Sequence, residues 1–339
     1  MVTGWPPRLA WRGILTRLHR WAGLFIALFL ILSGLTGAIL SWDHEIDEWL
    51  NADLYEVDSR GPMRTPLELA AAVNASDPRA TVTYLTMQAL EGHTSTFFVR
   101  PLVDPASGRP FVLGYNQVFV DPVTAEVKGR RDSRAVSLST RNLMPFLRRL
   151  HYTLHIPAFR GTDRWGYWLM GTIALVWLID SFVGFYLTLP PRSRLPRAPG
   201  ERSRFLGRWK PAWLIRRDAG RHRLNFDVHR AFGLWTWGIV FIVAFTSFSI
   251  NLKNELFYPV MSLFSQVTPS ITVQRPPAPI GTVIPAKVGM AAVVDVARAE
   301  ARERGWHTPM GGLFYNVRTG VVRRYLATEE PRGKSGARA

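Results

Sequence analysis

Three long apolar stretches dominate the pattern of hydrophobic and polar positions. Ala22 to Ser41 holds no charged residue, Trp165 to Pro190 holds only Asp180, and Ala231 to Leu252 holds none. At about 1.5 Å per residue, each can cross a hydrocarbon layer of roughly 30 Å as a helix. The pattern predicts an α-helical transmembrane bundle with three visible spans, 21–42, 165–190 and 231–252. Trp21 and Trp42 bracket the first, Trp165 and Trp168 open the second, and Trp235 and Trp237 lie near the start of the third. These are headgroup-level positions for amphipathic rings. The first stretch is too long for a signal-peptide core, and Leu40-Ser41-Trp42 is not a small-x-small cleavage site, so it reads as a permanent anchor.

The polar segments carry a different period. Thr81 to Thr86, Thr96 to Arg100 and Gln117 to Val120 alternate like short antiparallel strands, and Asp121-Pro122-Val123-Thr124 reads as a turn. Residues 43–164 are therefore expected to form an α+β domain. The second half partly repeats the first. Aligning His19 with His229 lays Ser41-Trp42-Asp43-His44-Glu45-Ile46 over Asn251-Leu252-Lys253-Asn254-Glu255-Leu256. Further on, Thr65 to Ala72 matches Ile284-Pro285-Ala286 with the helical run Val288 to Arg304, and Leu313 to Val322 reads as β. Residues 253–339 thus form a second, incomplete unit without a visible fourth helix.

Charge orients these segments. The net charge of +17 is concentrated beside the spans. Arg192, Arg194, Arg197, Arg202, Arg204, Arg208, Lys210, Arg216, Arg217, Arg221, Arg223 and Arg230 face only Glu201, Asp218 and Asp227 between the second and third spans. Arg8, Arg12, Arg17 and Arg20 precede the first. This positive-inside pattern puts 1–20 and the 191–230 loop in the cytoplasm and the nearly charge-balanced 43–164 in the periplasm. A multi-pass bacterial inner-membrane protein is expected, with the lipid bilayer as partner and no nucleic acid. The absence of cysteine fits a periplasmic face and leaves no thiolate to hold a metal.

Histidine is then the candidate ligand. His19-Arg20-Trp21-Ala22-Gly23-Leu24 and His229-Arg230-Ala231-Phe232-Gly233-Leu234 open two spans alike. An ionisable group near a membrane interior is costly without a partner, so His19 and His229 read as a bis-histidine haem pair, against an interfacial lipid anchor. His44 lies 25 positions beyond His19. On an unbroken helix that is within roughly 20° of whole turns, which places both on one face with Gly23, Ser33, Gly37 and Ser41. The face of His229 carries Gly233, Thr236 and Ser247. Such small residues leave room for a macrocycle or for close helix packing. His151 and His155, spaced i, i+4 before Pro157, would share a face of a helix ending there. Two of His44, His151 and His155 are expected to hold an outer haem. The spacing also suits zinc, but no His-Glu-x-x-His frame or third carboxylate accompanies it. Asp180 is expected to accept the outer proton of an inner histidine, to pair with an arginine, or equally to make a purely structural helix–helix hydrogen bond. His93, His222 and His307 read as solvated loop or domain histidines and not as ligands.

Taken together, several motifs resemble the PepSY-associated transmembrane family of iron-regulated inner-membrane proteins, which includes periplasmic ferric-siderophore reductases. They are Leu18 to Leu24, His44 to Asn51, Leu150 to Pro157, Trp168 to Gly171, Asp180 to Pro190 and Asp227 to Arg230. The resemblance implies four membrane helices, a PepSY-like periplasmic domain, and one or two b-type haems carrying electrons from a cytoplasmic or quinone donor to a ferric siderophore. It carries His19 and His229 over as inner ligands, and His44, His151 and His155 as outer positions whose pairing stays open. Tyr84, Tyr115, Phe119, Tyr152, Arg148 and Arg149 are expected chelate contacts. Family members continue after a segment like Gly311 to Gly320 into another histidine and a fourth helix. Here the sequence ends on Pro331 to Gly336 and a short basic tail, as a truncated or frameshifted reading would. The rival is a non-redox PepSY module that binds a periplasmic partner or assists a siderophore transporter.

Overall fold

The computed structural model describes residues 8–191, 205–218, 220–269, 271–307 and 310–326. Arg192, Arg194, Arg197, Glu201, Arg202 and Arg204 of the basic segment, and the closing Pro331 to Gly336, lie outside the described residues. In chain order the elements are α1 (Arg8–Leu40), α2 (Asp43–Leu50), α3 (Ala52–Tyr55), α4 (Pro66–Ser76), β1 (Ala80–Thr86), β2 (Ser95–Pro101), β3 (Gln117–Val120), β4 (Val127–Arg131) and α5 (Leu143–Thr153). There follow α6 (Trp165–Thr188), α7 (Phe205–Trp209), α8 (Gly220–Trp235), α9 (Trp237–Asn251), α10 (Tyr258–Met261), α11 (Ile271–Gln274), α12 (Met290–Glu303), β5 (Met310–Asn316) and β6 (Val321–Leu326). These form two compact units. One contains the described residues up to Leu35 with Arg164–Thr268, the other Thr36–Asp163 with the described residues from Pro269 onward.

The first unit is helical. Trp11–Leu40 and Trp165–Thr188 are each long and apolar enough to cross a membrane. Trp21, Leu24, Phe25, Leu28, Ile31 and Leu35 of α1 are all exposed, as expected of side chains that face lipid. The third span departs from the expected 231–252. Its helix begins at Gly220 and is bent by 67° between α8 and α9. The joint is Thr236, whose hydroxyl donates to the Phe232 carbonyl at 2.8 Å, while Trp237 Nε1 donates to the Ser181 carbonyl of α6 at 3.0 Å. A threonine bonding back to its own helix, beside an indole drawn to a neighbour, gives the bend a local cause. Hydropathy missed the first half of this helix because Gly220 to Arg230 is polar.

Packing ties the unit together. Ala174, Phe248 and Leu252 form a small core between α6 and α9. Beyond it, Glu255 accepts from Arg164 Nε and Trp168 Nε1, each at 2.8 Å, where α9 passes into the π-helical turn Lys253–Phe257. At the other end of α6, the Arg12 guanidinium donates to the carbonyls of Leu187 and Leu189, which suits a helix C-terminus.

The second unit is built on one antiparallel sheet of order β4-β3-β2-β1-β5-β6. The repeat predicted along the chain is visible as helix–strand–strand used twice, α4-β1-β2 and α12-β5-β6. The first strands of the two copies pair with each other around Leu85 opposite Leu313, both fully buried. The stretches expected as two separate outer domains, 43–164 and 253–339, therefore contribute to one sheet. Leu69 and Val73 of α4 and Val294 of α12 join Phe97, Val99, Val118 and Val120 in a single core. Burial of each such side chain contributes roughly 1.5–3 kcal/mol. The start of α4 follows its sequence closely. Thr65 and Glu68 form a reciprocal capping box ahead of Pro66, at 2.7 Å and 3.3 Å.

A buried ion pair fastens the short α2 to this sheet. Arg131 on β4 grips both oxygens of Asp47 at 2.8 Å and 2.9 Å and also donates to Gln117 at 2.8 Å. Tyr55 donates to Asp47 at 2.7 Å, and burial pushes its phenol well above the usual pKa. Arg131→Met would strand Asp47 without its charge partner. A loss of about 3–5 kcal/mol in a denaturant melt is expected, most of it recovered when Asp47→Leu is added.

Acid should loosen the same unit through Asp77. Hydrogen bonds from Arg79 and then Tyr115 outweigh partial burial and hold the Asp77 carboxyl well below its usual pKa. A lowered folded-state pKa contributes stability above the unfolded value of about 3.9, and that stability is lost as pH falls toward the folded value. The stability gap between the unmodified protein and Asp77→Asn should be constant from about pH 5 to 7 and narrow below about pH 4.

Candidate functional site

The helical unit gathers three of the residues singled out in the sequence. On α6, Asp180 and Gly184 are four residues apart and share a face. His19 of α1 lies against that face, its Nδ1 donating to the Asp180 carboxylate with both oxygens at 3.0 Å. A Cβ at Gly184 would come within 3.1 Å of His19 Cε1, so only glycine leaves the ring this position without displacement. His229 on α8 is the second imidazole, with ring centroids 6.0 Å apart and planes inclined at 45°. It makes no hydrogen bond with any described residue, and it is exposed within the unit.

This constellation has a definite coordination chemistry. A neutral imidazole with Nδ1–H held by a carboxylate keeps Nε2 unprotonated and available to a metal. An imidazole nitrogen ligates at about 2.0–2.1 Å, so two rings sharing one metal ion stand roughly 6 Å apart centre to centre. The His19–His229 separation fits that requirement. Two neutral nitrogen donors with an outer carboxylate suit haem iron. They do not suit a structural zinc ion, which needs four ligands. Among the described residues no group of three or more histidines and carboxylates could hold a bare metal ion.

The three outer histidines find separate environments. The expected rotation from His19 to His44 assumed one helix, but α1 ends at Leu40 and a turn at Ser41-Trp42 starts α2. His44 is exposed there, 3.7 Å from Glu48 and edge-on to Tyr55. His151 sits near the end of α5, 2.9 Å from the Thr36 hydroxyl, and a Cβ at Gly37 would meet its ring at 3.2 Å. His155 does not share its face. The helix stops at Thr153, and Leu154 and His155 both adopt left-handed backbone, with φ of 53° and 55°. His155 Nε2 donates to the Phe146 carbonyl at 2.9 Å, its ring stacks on Phe146, and its buried Nδ1 has no partner. The i, i+4 argument failed because the helix ends four residues before Pro157.

Several expected contacts are corrected by burial or pairing. Phe119 is fully buried against Tyr55 and Arg131 and cannot touch a chelate. Tyr115 donates to Asp77 at 2.8 Å, Arg148 is paired with Asp43, and Arg149 donates to the Arg134 carbonyl at 3.1 Å. Tyr152 is exposed, and Tyr84 is partly so. His93, expected as a loop or domain histidine and not a ligand, donates to Glu48 at 2.7 Å. His222 and His307 are exposed.

One cluster escaped the sequence reading. Asp227, which entered there as an acid among arginines and as the start of the Asp227 to Arg230 motif, is fully buried and ion-paired with Arg216, Arg223 and Arg230. The i−4 and i+3 spacing of Arg223 and Arg230 about Asp227 was the available signal.

Comparison with known proteins agrees with the motifs. The family model described as the PepSY-associated TM region matches residues 16–327, a range that includes every histidine of the chain. No curated protein matches the sequence. With apolar helices able to cross a membrane, a separate antiparallel α+β unit and a family match over most of its length, this membrane protein belongs to the PepSY-associated transmembrane family.

Proposed function

We propose that this protein is a b-type haem protein of the bacterial inner membrane. It would pass electrons from a cytoplasmic or quinone donor across the bilayer to a ferric siderophore in the periplasm. The observation that carries this reading is the His19–His229 pair at 6.0 Å, with Asp180 on the far nitrogen of His19. Haem held by His19 and His229 would supply one-electron transfer. One electron delivered to the chelate converts ferric to ferrous iron, which hard oxygen donors hold less tightly.

The chain's own residues have distinct tasks in this scheme. Asp180 fixes the tautomer of His19 and raises the basicity of its Nε2, which favours the ferric state and lowers the potential. Gly184 admits the His19 ring, and the apolar surface of α1 excludes water. The number of haems is a further part of the proposal, with His44, His151 and His155 as the outer candidates. Tyr152 and Tyr84 retain exposure and are the aromatic groups that a chelate could reach.

Purified protein should show a Soret band and, on dithionite reduction, split α and β bands; a ferric siderophore added anaerobically should reoxidise it. Absence of the Soret band under haem-replete expression would overturn the proposal and favour the non-redox module. His19→Ala and His229→Ala should each abolish the inner centre, and full haem content in both variants would refute the ligand assignment. Asp180→Asn should retain the fold, weaken haem retention by about 10–100-fold, and raise the midpoint potential. An unchanged potential would remove Asp180 from its assigned role.

A further inference from the structure

The Asp227 cluster is out of charge balance. Arg216 Nε lies 2.9 Å from one carboxylate oxygen; Arg223 Nε at 3.2 Å and Arg230 Nη2 at 2.9 Å lie against the other. Three guanidinium charges thus share one buried carboxylate. Among the described residues no second acid pairs with any of them, so two positive charges remain. The hydrogen bonds are equally unbalanced. Each guanidinium carries five N–H donors, while a carboxylate accepts about four hydrogen bonds. Arg230 Nε and Arg223 Nε are buried and complete no hydrogen bond among the described residues, although Arg223 Nε touches Asp227. Held this close in partly dehydrated surroundings, three like charges repel unless an anion joins them.

The position of the cluster says which anion. Asp227, Arg223 and Arg230 lie on α8, with Asp227 one turn before the chain turns apolar at Ala231, the transition expected at a membrane's headgroup level. Because α8 is inclined by 67° to α9, it runs nearer to the membrane plane than a crossing α9 does. The guanidiniums of Arg223 and Arg230 lie 5.5 Å and 5.3 Å from the ring centre of Phe226, which is about half exposed. Arg230 also donates to the Pro211 carbonyl at 2.6 Å, fastening α8 to the turn that carries Trp209 and Trp213. A phosphate oxyanion fits guanidinium forks, and an acyl chain fits the exposed ring of Phe226 beside them.

We infer that Arg216, Arg223 and Arg230, preset by Asp227, bind the phosphate of one anionic phospholipid in the leaflet on the basic side. Asp227 then acts as the positioning residue that aims the guanidiniums. The inference is independent of haem, because Asp227 and His229, two positions apart, face nearly opposite sides of α8.

Native mass spectrometry of the detergent-solubilised full chain tests it, with phosphatidylglycerol and phosphatidylcholine of identical acyl chains as probes. One phosphatidylglycerol per chain should be retained at ratios that leave phosphatidylcholine unbound. Arg223→Gln, which leaves Asp227 two partners, should lower that retention about fivefold, the effect of about 1 kcal/mol per arginine at a membrane surface. Arg109→Gln on the sheet unit is the control for general electrostatics and should change nothing. Excess inorganic phosphate should not displace the lipid; displacement would identify a free-anion site and overturn the lipid assignment. Equal retention of the two lipids, graded binding of many without saturation, or equal losses in both variants would also overturn it. The lipid comparison on the unmodified protein decides the question even if Arg223→Gln aggregates.

Discussion

A carboxylate and an imidazole inside an apolar helix pair set the terms for the helical unit. Asp180 is the one charged residue of its span, and neither it nor His19 could sit there alone without a large desolvation cost. Their mutual hydrogen bond removes much of that cost and brings α1 against α6 at Gly184. The ring of His229 stands 6.0 Å from that of His19, centre to centre, a separation compatible with a shared metal ion.

The same rule of compensation runs through the sheet unit. Asp47 and Arg131 are both buried, and they are tolerated because Tyr55, Gln117 and Asn51 complete their hydrogen bonds. That network holds the helix following α1 to the edge strand of a sheet whose core comes from both halves of the chain. Asp227 is the exception, with more cation than acid around it. Balanced clusters read as structural, and the unbalanced one as a site for something outside the chain.

Much of this was legible in the sequence because it rests on local pattern. The strands around Phe97 and Val118, the capping box at Thr65 and the helix over Val294 all follow from period and short-range chemistry. The repeat was visible too, but not the pairing of Leu85 with Leu313, since sequence periodicity does not say which strand edges meet. Asp180 as the partner of His19 could be anticipated from the cost of a charge in a span. The failures came from assuming that helices continue. The helix of His19 ends at Leu40, before His44 is reached, and His155 left the face of His151 at two left-handed residues. The polar half of α8 was hidden because hydropathy sees only the apolar half of a helix that lies partly at an interface. Asp227 escaped because net charge counts acids and bases without asking which acid the bases surround.

The central claim is that His19 and His229 would together hold one haem. Low-temperature electron paramagnetic resonance of the oxidised, haem-loaded protein tests this directly. The account predicts a low-spin ferric signal of bis-imidazole type that disappears, or gives way to a high-spin signal, in His19→Ala and in His229→Ala. A low-spin signal of unchanged shape and intensity in both variants, or no haem iron signal in the unmodified protein, would contradict it.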